Sequence, residues 1–181
     1  DAPQELSRVT LVAFDKTGTL TEGRPSVTAI APTRDCDEAT LLTLAAGAEA
    51  ASEHPLARAI LAEARARGLT PARTDRFEAV TGGGVIAVIE GETLRLGSRA
   101  FLEAEGVAVP PTDPGPATEV HVARGALYLG HLALSDRLKP ESARAIAALK
   151  ARGVTVALLS GDAEGPVTAV AQELGIDEAH A

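Results

Sequence analysis

The sequence predicts an α/β protein in which one parallel-sheet domain is interrupted by an inserted α+β module with an antiparallel sheet. Three observations carry that prediction. Two apolar runs, residues 9–14 and 154–159, each end in a small polar turn, Asp15-Lys16-Thr17-Gly18 and Ser160-Gly161-Asp162. Buried parallel strands read this way, with loops at their carboxyl ends. Between the two runs, roughly a hundred residues pass to short strands punctuated by glycine turns, the pattern of antiparallel hairpins. After Ser135-Asp136 the helix–strand–helix order returns.

Each element has its local reason. After the Asp15 turn, Thr21-Glu22-Gly23 and Pro25 form a linker into a strand at Val27-Thr28-Ala29-Ile30. Two helical stretches follow, about 37–50 and 55–67, separated by Ser52-Glu53-His54-Pro55. The second carries Leu56, Ile60 and Leu61 on one face, and Gly68 stops it. Ser52 is a candidate cap and Pro55 suits the first turn, which leaves His54 held at the helix entrance. From Phe77 the chain reads as strand, then Gly82-Gly83-Gly84, then a hairpin of 85–89 and 93–96 turned by Glu90-Gly91. A short helix at 99–105 precedes a loop marked by Pro110, Pro111, Pro114 and Pro116. Strands at 119–122 and 126–134 complete the antiparallel set. A helix is expected from Pro140 to Arg152, then the strand at 154–159, then a helix at 165–174 stopped by Gly175. The split places one domain at 1–26 and 133–181 and the inserted one at 27–132.

Composition narrows the function. The 181 residues are 45% hydrophobic and 23% charged, with three Phe, one Tyr and no Trp, so aliphatic packing must dominate. A net charge of −8, without a basic aromatic platform, gives no electrostatic reason to bind nucleic acid. The lone Cys36 excludes an intramolecular disulfide and a multi-cysteine zinc site. No apolar run reaches the roughly 20 residues a membrane helix needs. The chain starts at Asp1 and holds no Met, as an excised piece of a longer protein would.

Chemistry concentrates in a few places. Asp15, at the end of a strand and ahead of two threonines around a glycine, is placed to act as a nucleophile toward a phosphoryl group. Ser160, Gly161 and Asp162 repeat that arrangement and can offer a hydroxyl and backbone N–H groups to phosphate oxygens, although Asp162 could also cap the next helix. Gly82, Gly84 and Gly97 allow close backbone approach, to a ligand or within a tight turn. No Gly-Lys-Ser/Thr phosphate loop is present.

Asp15-Lys16-Thr17-Gly18-Thr19-Leu20-Thr21 resembles the phosphorylation motif of P-type ATPases, members of the haloacid-dehalogenase-like superfamily. Ser52-Glu53-His54-Pro55-Leu56 resembles the nucleotide-domain signature of their heavy-metal (type IB) class. The absence of Lys-Gly-Ala-Pro-Glu favours the same class. The resemblance implies a partial Rossmann-like phosphorylation domain and an inserted nucleotide-binding domain. It implies ATP and Mg2+ as cofactors, with Asp15 and Thr17 contributing to the metal site. Glu49, His54, Gly82, Gly84 and Gly97 correspond to family nucleotide-site positions. Ser98 stands where many members carry Asn, and its hydroxyl could still reach a ribose or phosphate. Family phosphatases carry a second Asp two residues after the nucleophile. Thr17 occupies that place and cannot act as a base near neutral pH. Ser135-Asp136-Arg137-Leu138-Lys139-Pro140 resembles the family hinge, whose Asp lies near the nucleotide, and also reads as a plain helix start.

The partners so implied are ATP, the rest of the same pump polypeptide, and a transported copper(I)- or zinc-type ion held by membrane helices not present here. The region would be a cytoplasmic loop of an integral membrane protein. The family's later lysine and acidic Gly-Asp-Gly-x-Asn-Asp loop do not occur before Ala181. The expectation is therefore a chain that binds nucleotide but phosphorylates itself poorly. Two rival readings stay open: a soluble phosphatase with a cap domain, and a non-catalytic nucleotide sensor.

Overall fold

The computed structural model describes residues 9–113, 115–161 and 164–181. In chain order the elements are β1 (Leu11–Asp15), β2 (Ser26–Pro32), α1 (Glu38–Ala48), α2 (Pro55–Ala66), β3 (Thr74–Val80), β4 (Gly84–Ile89) and β5 (Glu92–Gly97). They continue with α3 (Arg99–Ala104), β6 (Thr118–Arg124), β7 (Leu127–Ser135), α4 (Ser142–Ala151), β8 (Thr155–Leu159), α5 (Glu164–Leu174) and β9 (Glu178–His180). The chain divides into two compact units. One holds β1, β8, β9, α4 and α5, and the other holds the remaining elements around a second sheet. The expected class, a parallel α/β domain with an inserted antiparallel α+β module, is what the structure has.

In the first unit the strand order is β1-β8-β9, all parallel. β1 and β8 run in register, with Leu11 opposite Thr155 and Asp15 opposite Leu159. Phe14, Val156 and Leu158 pack with Ile146 of α4 and Val167, Val170 and Leu174 of α5. Two details depart from the sequence reading. β9 has three exposed residues and leaves no hydrophobic pattern to detect. α4 begins at Ser142 rather than Pro140, because the Ser142 N–H closes a tight turn onto the Lys139 carbonyl at 3.0 Å, so Pro140 lies in that turn.

The second unit is a six-stranded antiparallel sheet in the order β2-β7-β6-β5-β4-β3. Leu41, Leu42 and Ile60 of α1 and α2 join Leu94, Leu96, Val120, Val122, Leu132 and Leu134 in one core. Strand alternation sends Ala123 the other way, into a smaller cluster with Phe101, Leu102 and Val107. The β4–β5 hairpin turns through Glu90 at φ 53° and Gly91 at φ 79°, the two-residue geometry that matches strand twist. β2 and β7 extend to the pair Ser26 and Ser135, beyond their apolar runs. β3 likewise starts early, at the polar Thr74-Asp75-Arg76 of an outermost strand. Among the described residues no helix is long and apolar enough to cross a membrane.

A polar cluster lies on β6 and β7. The Glu119 carboxylate stands 3.3 Å from His121 Nε2 and 3.2 Å from His131 Nε2. The Tyr128 hydroxyl lies 3.0 Å from His121 Nδ1 and 3.3 Å from His131 Nδ1. Burial drives the His121 value down to about 4, with Glu119 opposing. Burial, reinforced by Glu119, pushes Tyr128 up to about 12. A histidine that stays neutral when folded protonates first in the unfolded chain. Its contribution is complete above the ordinary value of 6.5 and is lost as pH falls toward about 4. Urea unfolding is expected to show a loss on the order of 3 kcal/mol over that range, and His121→Gln should flatten the pH dependence.

Candidate functional site

Asp15 closes β1 with an exposed carboxylate that caps nothing in the turn after it. Its register partner Leu159 is followed by Ser160, so Asp15, Thr17, Ser160 and Gly161 gather at the carboxyl ends of two adjacent parallel strands. Asp162 lies outside the described residues. The segment Lys16–Leu20 forms one wide turn, closed by the Thr21 N–H on the Lys16 carbonyl at 3.2 Å. Thr17 is extended at φ −78°, ψ 122°, and Gly18 reverses the chain at φ 77°. A Cβ at Gly18 would meet nothing within 4 Å, so the backbone angle alone calls for glycine there.

The hinge-like segment holds this turn. Asp136 Oδ2 accepts from the Thr21 hydroxyl at 2.6 Å and the Gly23 N–H at 3.0 Å, and Oδ1 accepts from the Arg24 N–H at 3.0 Å. Lys139 Nζ donates to the Gly18 carbonyl at 2.7 Å. The Leu20 carbonyl accepts from the Lys139 N–H at 2.9 Å and from the buried Ser142 hydroxyl at 2.8 Å. The resemblance put this Asp near a nucleotide. Here backbone and hydroxyl donors of residues 21–24 occupy its carboxylate. Sequence reasoning missed Lys139 and Ser142, whose partners are remote in the chain.

A second group sits in the other unit. Glu49 is the C-cap of α1 and is buried. Its Oε2 has no hydrogen-bond partner among the described residues. Burial pushes the Glu49 carboxyl above its usual range, and a hydrogen bond with Ser52 opposes part of the shift. His54 is itself the N-cap of α2, its Nδ1 accepting from the Leu56 N–H at 3.2 Å. Ser52 accepts from the His54 N–H at 3.3 Å, so it supports the cap instead of forming it. Pro55, lacking an N–H, opens the helix and leaves the cap to the residue before it. With Nδ1 an acceptor, the neutral ring carries its proton on Nε2 and presents an exposed donor.

The glycines have internal causes. Gly84 pairs with Gly97 across β4 and β5. A Cβ on Gly84 would collide with the Leu96 carbonyl, and one on Gly97 with the Gly83 carbonyl and the Phe101 ring. Gly82 turns at φ 72°. Ser98 caps α3, its hydroxyl accepting from the Phe101 N–H at 3.2 Å, and the hydroxyl proton remains available to donate. Gly82, Gly84, Gly97 and Ser98 thus cluster in one part of the unit. α1, which ends at Glu49, packs on β3, β4 and β5.

Asp15 and Ser160 thus stand at adjacent carboxyl strand ends, where open α/β sheets place their ligands. The family model for haloacid dehalogenase-like hydrolases matches residues 9–180, and the chain belongs to that family. Its relatives among characterised proteins include metal-transporting P-type ATPases. The zinc/cadmium/lead-transporting P-type ATPase of Escherichia coli K12 is 40% identical over 178 residues, covering 97% of this chain and 24% of that protein. The probable copper-transporting ATPase SynA of Synechococcus elongatus is 38% identical over 177 residues, covering 98% of this chain and 22% of that protein. The chain thus spans about a quarter of the length of these relatives. Among solved structures, a zinc-transporting PIB-type ATPase in the E2.Pi state matches at TM-score 0.66 and 39% identity, over 98% of this chain and 30% of that one. The catalytic domain of the CPx-ATPase CopB-B matches at 0.74 and 27%, over 99% and 63%.

The residues present fit the cofactors this family implies. A buried carboxylate oxygen without a partner suits the exocyclic amine of adenine, and the His54 Nε2 donor suits a ring nitrogen. For Mg2+, the Asp15 carboxylate suits a hard cation that takes most of its oxygens from phosphate and water. Among the described residues no cluster of three or more His, Cys, Asp or Glu could hold a metal ion. Glu49 yields a test that does not need the ligand. Its folded-state value is raised, so its contribution is complete below about 4.5 and lost as pH rises through the raised value. Glu49→Gln should raise the melting temperature at pH 7, and the gain should vanish near pH 4.5.

Proposed function

We propose that the chain is the ATP-binding and aspartyl-phosphorylation region of a heavy-metal P-type ATPase. The second unit, approximately residues 27–132, holds the nucleotide through Glu49, His54, Gly82, Gly84, Gly97 and Ser98. The first receives the phosphoryl group. An Asp15 carboxylate oxygen forms a bond to the terminal phosphorus of ATP while the bond to the bridging oxygen breaks, releasing ADP. Ser160, Gly161 and Asp162 steady the phosphate oxygens. Mg2+ bound with Asp15 and Thr17 would offset their charge. With Thr17 in place of a second carboxylate, no side chain there activates water. The acyl phosphate therefore lasts long enough to drive a conformational change. The cargo is a copper(I)- or zinc-type ion, bound in membrane helices of the larger polypeptide, and this region faces the cytoplasm.

The observation that carries this reading is the placement of Asp15, at the end of β1 with a side chain that caps nothing and one strand away from Ser160. Calorimetric titration of the chain with ATP tests the nucleotide half. His54→Ala removes both the ring donor and the helix cap, so it should weaken binding and also lower stability by about 1 kcal/mol. His54→Asn keeps a capping oxygen. It should hold the melting temperature near the parent's while reducing ATP affinity about tenfold. Parent-like affinity in both variants would move the adenine away from His54.

A further inference from the structure

We infer that Asp136 and Lys139 are positioning residues of the Asp15 turn, acting by fixing both peptide groups of Gly18. This rests on the phosphorylation reading above and extends it to residues outside the Asp15 turn. The Thr21 hydroxyl has one proton and two candidate acceptors: the Lys16 carbonyl at 3.2 Å and Asp136 Oδ2 at 2.6 Å. The shorter, charge-assisted bond to the carboxylate takes that proton. The Thr21 oxygen is then left as a pure acceptor, and it receives the Gly18 N–H at 3.1 Å. Lys139 Nζ meanwhile fixes the Gly18 carbonyl. Gly18 is the residue that reverses the turn, and a Cβ on Gly23 would lie 3.4 Å from its Cα. Gly23 is itself tied to Asp136. One carboxylate and one ammonium from a distant segment therefore set the orientation of a peptide three residues beyond the nucleophile. In-line transfer is sensitive to displacements of about 1 Å, so loosening this peptide should act on rate more than on nucleotide affinity.

Two readouts test the inference separately. The first is amide hydrogen exchange at Gly18 in the chain itself. Asp136→Asn puts an amide NH2 where three donors converge, and Lys139→Met removes the carbonyl's donor. Each should speed Gly18 exchange on the order of tenfold, and Lys139→Arg should restore the parent rate. The second is phosphoenzyme formation from ATP in the pump that carries this region, with Asp15→Asn as the blank. Here Lys139→Met should slow labelling about tenfold with ATP affinity unchanged, and Lys139→Arg should recover most of the rate. Unchanged Gly18 exchange in both variants overturns the clasp. Faster exchange with parent-like labelling overturns the positioning role. Absence of Asp15-dependent label in the parent overturns the phosphorylation reading and the positioning role with it, while Gly18 exchange still decides the clasp. If Asp136→Asn does not fold, Lys139→Met carries the test alone.

Discussion

Parallel pairing of β1 with β8 is the constraint on which the first unit depends. The two strands come from opposite ends of the chain, and only their register places Asp15 level with Leu159 and next to Ser160. A shift of one residue would turn Phe14, Val156 and Leu158 away from α4 and α5. The same register also keeps the Asp15 carboxylate exposed. Core packing and site geometry are thus two outcomes of one alignment, and the insertion between the strands is free to fold around its own sheet.

The second unit shows a tension between stability and retained polar groups. Glu49 keeps a carboxyl group where burial disfavours its charge, and among the described residues one of its oxygens has no hydrogen-bond partner. Such an arrangement persists when something outside the fold's own energetics favours it. Gly84 and Gly97 lie at the other extreme. Their lack of side chains is demanded by neighbouring backbone and by Phe101, whatever else approaches them.

Much of this was legible in the sequence wherever the cause was local. The polar turns at Asp15 and Ser160, the Glu90-Gly91 hairpin and the helix entrance at Pro55 all announce themselves through neighbouring residues. The cap role of His54 was not legible. It depends on Nδ1 accepting a backbone N–H, which Ser52 imitates as a sequence signal. Gly97 could not be sorted between ligand approach and packing without Phe101 in view. Asp136 read as a helix start or as a hinge residue near the nucleotide; its bonds to Thr21, Gly23 and Arg24 were hidden because those partners are more than a hundred residues away. β9 and the first residues of β3 carry too little apolar pattern to register.

The proline-marked stretch after α3 reads in the sequence as an irregular loop, and Arg99 gathers its first residues, 109–112. Its guanidinium donates to the Val109 carbonyl at 2.8 Å, to the Pro110 carbonyl, and to the Thr112 hydroxyl at 3.1 Å. Thr112 in turn donates to Glu119, the carboxylate shared by His121 and His131. A protease must pull several residues of backbone into its cleft before it can cut. A single arginine on a six-residue helix therefore makes residues 109–112 harder to draw into such a cleft than their composition advertises.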